Sequence, residues 1–169
     1  MDPAHGLRVN GAEVLLRGAC IHHDNGVIGA ATLRSAEFRR VRLLKDAGYN
    51  AMRSAHNPAS RHLLDACDQL GMYVVDELTD VWFRAKTAHD SASRFESTWP
   101  ADAQAMIRKD RLHPSVIMYS IGNENAETAT APGVEAARRI TDAFRAADPT
   151  RPLTCGINFM LNAVSGSEP

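Results

Sequence analysis

What this 169-residue chain has little of already narrows its function. Its cysteines are Cys20, Cys67 and Cys155. Their number is odd and no two form a CxxC pair. That pattern fits reduced packing thiols better than a disulfide framework or a zinc site. Charge of one sign is also lacking: Lys and Arg number 19 against 20 Asp and Glu, a net charge of -1. Such a balance has no electrostatic footprint for nucleic acid or an anionic membrane. No apolar run approaches the roughly 18 residues of a membrane span. The opening "MDPAHGLRVNG" lacks the basic, apolar, small-residue progression of a secretory leader, which implies a cytoplasmic chain. It equally fits a cut inside a larger protein. There is no low-complexity tract and no internal repeat beyond a strand–helix period.

What is present is one apolar core's worth of residues, 44% hydrophobic and 23% charged, arranged as strands alternating with helices. Strands are expected over residues 13–20, 49–54, 72–77, 115–121 and 151–157. The first helix carries Phe38, Val41, Leu44 and Ala47 at helical spacing and stops at Gly48. The second has Ser60 as N-cap and Gly71 as stop. The third is expected to begin near Pro100, a good first-turn residue, and to run to about Arg111. The fourth begins near Pro132 with Val134, Ala137, Ile140 and Phe144 inward.

The second to fourth strands are nearly continuous apolar runs, as in a parallel sheet buried on both faces. An open doubly wound sheet often carries a GxGxxG turn after its first strand; here that turn is "HHDNGVIGAA", without it. Every strand instead ends in polar residues: "HHDN", "RSAHN", "DE" and "GNEN". Barrel active sites are built on that rim. The expected fold is α/β, a partial (β/α)8 TIM barrel with about five strands and four helices. It forms a single partial domain over residues 1–169, because a complete barrel takes about 250 residues. The tail "FMLNAVSGSEP" cannot supply the remainder, and its end reads as frayed.

The rim offers His22, His23, Asp24, Arg53, His56, Asn57, Asp76, Glu77, Asn123 and Glu124. Glu124 follows a buried strand and a glycine that lets the backbone turn. Partial desolvation at such a place raises a carboxyl's pKa, as a general acid working near neutral pH requires. Asn123 offers a donor and an acceptor to a substrate hydroxyl. Glu127 and Asn125 read as loop residues, Glu127 as a solvated charge. The long connection over residues 78–98 carries Trp82, Phe83, His89 and Phe95, which either stack on sugar faces or cap the helices. Arg53 alternatively reads as an interior ion-pair partner, His56 as a core histidine, and Glu77 as a helix cap or surface pair.

The segment "NAMRSAHNPASRHLLDACDQLGMYVVDE", residues 50–77, resembles a signature of glycoside hydrolase family 2, which includes β-galactosidases, β-glucuronidases and β-mannosidases. The likeness lies in Asn50, the "RSAH" of residues 53–56, Pro58, Leu63, Leu64, Asp68 and Gly71. "DRLHPSVIMYSIGNE", residues 110–124, resembles the family's acid/base signature, and "RGACIHHDNGVIGA" its first strand and loop. Asn57 stands where the family usually has tyrosine, Leu112 where it has asparagine and Tyr119 where it has tryptophan. These departures mark a divergent member.

The resemblance implies a retaining two-carboxylate mechanism on β-galactoside-like substrates, with β-glucuronidase or β-mannosidase specificity as alternatives. It implies Glu124 as general acid/base, Asn123 on the sugar 2-hydroxyl and Arg53 orienting the nucleophile. His56 and His23 would line the sugar subsite, and Asp76 or Glu77 would support the network. No cofactor or metal is implied. The nucleophile would be a glutamate on a later strand, and Glu168 has no apolar strand before it. The isolated chain is thus expected to be inactive, and its open barrel edges to favour self-association. Two rival readings are a carbohydrate-binding fragment without turnover and a metal-dependent hydrolase using His22, His23 and Asp24.

Overall fold

A computed structural model describes residues 4–158; the expected tail and Glu168 lie outside them. A short antiparallel hairpin, Arg8–Val9 with Ala12–Glu13, precedes the main body. Five parallel strands follow: β1 (Gly18–His22), β2 (Ala51–Ala55), β3 (Tyr73–Glu77), β4 (Val116–Asn123) and β5 (Leu153–Gly156). They lie side by side in chain order. Helices α1 (Arg34–Asp46), α2 (Arg61–Leu70), α3 (Ala92–Asp110) and α4 (Ala131–Ala147) connect them, each packing on the next. Unbroken strand order with helices in one sequential layer is barrel topology; a doubly wound sheet reverses order at its switch point. Among the described residues, the outer edges of β1 and β5 pair with no other strand. No described helix is long and apolar enough to cross a membrane.

The core lies between sheet and helices. Met52, Val74, Val116, Tyr119 and Ile121 pack from the strands against Val41, Leu64, Cys67, Ile107, Ile140 and Phe144. The caps of α2 lie where the sequence places them: Ser60 accepts from the Leu63 N–H at 3.1 Å, and Gly71 turns left-handed at φ 71°.

Three elements differ from expectation. The first barrel strand begins at Gly18, because Ala12–Glu13 is used in the hairpin. Gly18 is needed at that point: a Cβ there would sit 2.7 Å from the Ala51 carbonyl oxygen. Helix α3 starts two turns early, at Ala92, and carries Pro100 in its interior. The gain is aromatic. Trp82, Phe95 and Trp99 stack in series, each ring pair 6.4 Å apart, and all three are buried. Burying three such side chains, at about 1.5–3 kcal/mol each, outweighs the roughly 3 kcal/mol cost of an interior proline. These aromatics are therefore core, not a sugar platform. In α4, Val134 is exposed, and the buried face is Gly133, Ala136, Ile140 and Phe144. The helix approaches the preceding turn so closely that a Cβ on Gly133 would meet the Glu127 carbonyl oxygen at 1.7 Å.

Candidate active site

Side chains alternate along each strand between the helices and the concave face. On β3, Val74 and Asp76 point to the helices, while Val75 and Glu77 point to the concave side. On β2, Met52 and Ser54 face the helices and Arg53 the concave side. Glu77 and Arg53 therefore meet on the concave face, at 3.5 Å. Glu77, fully buried, also bonds His56 Nδ1 at 2.7 Å and accepts from the Ser120 hydroxyl at 2.6 Å. A carboxylate only accepts, so His56 Nδ1 carries the hydrogen and Nε2 is its other polar atom. His22 meets His56 edge to face, ring centroids 5.1 Å apart.

Strict alternation would turn Asn123 away, since Tyr119 and Ile121 face the helices. A bulge prevents this. Between Ser120 and Asn123 β4 advances three residues while β5 advances two, from Thr154 to Gly156. Asn123 is thereby re-aimed to the concave face. Its Oδ1 accepts from Arg53 at 3.1 Å and its Nδ2 donates to Asp80 at 2.9 Å. One lone pair and one N–H remain for a ligand. Gly156 makes room beside this pair: a Cβ there would lie 2.8 Å from the Arg53 guanidinium.

Lys86 completes the rim, donating to Asp80 at 2.7 Å and to the Asn123 carbonyl at 2.5 Å. Burial acts to raise the Asp80 carboxyl, but hydrogen bonds from Lys86 and Asn123 hold it below its ordinary value. Asp80 has a legible signal, a carboxylate just past a strand's C-terminal end. Lys86 has none.

Glu124 immediately follows Asn123. Its N–H donates to the Gly156 carbonyl at 2.6 Å. Its carboxylate is exposed, not partly desolvated, and among the described residues no hydrogen bond or ion pair holds it. The backbone turn expected of Gly122 is made by Glu124 itself, at φ 46°. Gly122 is required for a different reason. A Cβ there would sit 2.3 Å from Asn125 Oδ1 and 2.8 Å from Trp82 Nε1.

Two expected site residues lie elsewhere. His23 is on the helix side of the sheet, near Arg40 and Glu37 of α1, with its buried Nδ1 unpartnered among the described residues; burial, then Arg40, lowers its pKa. By parity with the inward-packed Ile21, it is His22 that shares the concave face. Asp76 alternates away from Glu77 and accepts from the Ala59 N–H at 2.9 Å behind the sheet. Nor do His22, His23 and Asp24 converge: Asp24 Oδ1 caps the Gly26 N–H at 2.9 Å. Among the described residues no group of three His, Cys, Asp or Glu is placed to hold a metal. Glu127 is buried rather than solvated, because it accepts from the Arg84 N–H at 3.1 Å and ties the β3–α3 connection to the turn after β4. Asn125 is likewise buried, donating to the Asp80 carbonyl at 3.3 Å.

Paired acids, an amide and imidazoles at the C-terminal strand ends of a parallel, barrel-ordered sheet define a barrel enzyme's rim. The family model "Glycosyl hydrolases family 2, TIM barrel domain" matches residues 4–165, and the chain belongs to that family. It is 35% identical to the β-galactosidase BoGH2A of Bacteroides ovatus, over 94% of this chain and 22% of that protein. It is 31% identical to a β-glucuronidase of Bacteroides fragilis, over 93% of this chain and 23% of that one. A solved glycosyl hydrolase family 2 member from Bacteroides cellulosilyticus superposes with a TM-score of 0.91 at 46% identity, covering 96% of this chain and 21% of its own. The chain thus spans about a fifth of the length of the proteins it matches.

Proposed function

We propose that this chain is the acid/base half of a retaining β-glycosidase barrel, acting on β-galactoside-like substrates when joined to the strands that complete it. Glu124 protonates the glycosidic oxygen as the leaving group departs and then deprotonates the attacking water. Its exposed carboxylate, free of described partners, is available to a substrate. Asn123, braced by Arg53 and Asp80, presents one donor and one acceptor to a ring hydroxyl. That contact strengthens as the oxocarbenium-like transition state develops. His56, oriented through Glu77, and His22 beside it line the sugar's other side.

The observation that carries this reading is the continuous set of contacts from His56 through Glu77 and Arg53 to Asn123, next to an unengaged carboxylate. The β-galactosidase and β-glucuronidase relatives support a β-linked pyranoside and leave both sugars as candidates. Glu77 and Asp80 are committed to Arg53, His56, Asn123 and Lys86, so neither serves as the nucleophile. The chain alone is therefore expected to bind sugar without turnover. Assay of the purified chain with aryl β-galactoside and aryl β-glucuronide tests this. Turnover abolished by Glu124→Gln would refute it.

A further inference from the structure

Two buried oxygens without a partner lie behind the sheet, away from the rim: Asp76 Oδ2 and Asp110 Oδ2. Both residues are fully buried, and they converge on Ala59: Asp76 accepts its N–H, while Lys109, ion-paired with Asp110, donates to its carbonyl. Asp110 is the neighbouring charge that acts on the Asp76 carboxyl. Two ionised carboxylates cannot donate to one another, and they repel strongly in a low dielectric. One proton between them satisfies both oxygens at once. The surroundings decide which residue carries it. Lys109 is ion-paired with Asp110, which keeps the negative charge there. Asp76 has no cation of its own. Its other oxygen accepts the Ala59 N–H, a role the carbonyl of a neutral acid fills equally well.

We propose that Asp76 is a neutral carboxylic acid at neutral pH, donating its Oδ2 hydrogen to Asp110, and that Asp76, Asp110 and Lys109 form a clamp positioning the turn that carries His56. Lys109 Nζ donates to the Ala59 carbonyl at 2.6 Å while Asp76 accepts from the Ala59 N–H, so both polar groups of that peptide position are held. Ala59 lies three residues after His56 in the short connection to α2. Burial and the Asp110 charge push the Asp76 carboxyl well above the ordinary carboxylate range, against the Ala59 N–H and Lys109. Of the other titratable groups nearby, Arg40 is ion-paired with Glu37 at 2.8 Å, and Tyr119 and His23 supply no cation. Tyr119 on β4 is a buried phenol donating to Asp148 at 2.9 Å, and its pKa is raised by burial. His23, beside Pro58, has its pKa lowered by burial. The clamp rests on these contacts and not on the identity of the sugar.

The sign of the pH dependence follows. The unfolded chain releases the Asp76 proton above about pH 4, whereas the folded chain keeps it. Over that window the folded state binds more protons, so wild-type stability falls as pH rises. Asp76→Asn offers the same carbonyl to Ala59 and an N–H to Asp110, with no proton to take up. The ratio of variant to wild-type folding constants is expected to climb about tenfold per pH unit between about pH 4 and 7. Any fixed cost of seating the amide moves the line without changing its slope. A flat ratio would mean an ionised Asp76 and would overturn the proposal. Carbon-13 NMR of the aspartate-labelled chain reads the state directly. One side-chain carboxyl is expected to remain protonated at pH 7 and to vanish in Asp76→Asn; ionisation of every aspartate would also overturn it. For the positioning role, Asp76→Asn should leave the Ala59 amide and His56 ring signals in place, and Lys109→Met should displace both. Unmoved His56 signals in Lys109→Met would refute the clamp.

Discussion

Replacing Glu124 with glycine is expected to stabilise the fold while removing the side chain assigned to the chemistry. Glu124 adopts φ 46°, the left-handed region. An L-residue there is disfavoured by about 1–2 kcal/mol through its Cβ. Glycine escapes that cost but gives up about 0.4–1 kcal/mol through its freer unfolded chain. Among the described residues the Glu124 carboxylate has no hydrogen-bond or ion-pair partner, so its removal forfeits none. The net expectation is a gain of roughly 0.5–1 kcal/mol for Glu124→Gly, or about 1–4 °C in Tm for a chain of this size. Glu124→Ala and Glu124→Gln keep the Cβ and serve as controls; neither should gain. Urea unfolding of the four proteins at one pH measures the series. A glycine variant no more stable than the alanine variant would refute the assignment of backbone strain to this residue. Strain held at a functional position is stability given up for geometry.

Three further expectations are independent of that one. Burial works to raise the Asp148 carboxyl, but hydrogen bonds from Thr150 and Tyr119 together with Arg151 hold it down to about 2. A lowered folded pKa means its contribution is present above about pH 4 and lost as pH falls toward 2. Asp148→Asn should therefore remove roughly 2 kcal/mol of stability at neutral pH and flatten the acid limb of a pH–stability curve; an unchanged acid limb would contradict this. Gly122→Ala should cost about 1–3 kcal/mol by overpacking, because the new methyl meets Asn125 and the Trp82 indole; a neutral result by denaturant titration would show that the close approach is not real. The edges of β1 and β5, unpaired among the described residues, should make the chain associate as concentration rises, and light scattering that reports a monomer throughout would argue against it.

The order of strands and helices was legible because the apolar runs alternate with helical spacing, and at α2 the cap and stop, Ser60 and Gly71, lie in local chemistry. The rim was legible for Arg53, Glu77 and Asn123, since barrel rims lie at C-terminal strand ends. What escaped had non-local causes. The choice between His22 and His23 depends on where β1 begins, and the hairpin upstream displaced that start. The aim of Asn123 depends on a bulge that only pairing with β5 reveals. Asp76 and Glu77 are neighbours in sequence yet face opposite sides of the sheet, which periodicity indicates once the strand's register is known. The early start of α3 rests on Trp82, whose burial against Phe95 no local propensity reports.

The role of Glu124 is tested most directly in a completed barrel. Residues 4–165, which match the family's barrel domain, can replace the corresponding segment of the Bacteroides cellulosilyticus member, 46% identical in sequence. Glu124→Gln in that chimera should lower hydrolysis of an alkyl β-glycoside by about 10²–10⁴-fold. Formation of the glycosyl-enzyme from a dinitrophenyl β-glycoside, whose leaving group departs without protonation, should be far less affected. Equal losses on both substrates, or none on either, would contradict Glu124 as the general acid.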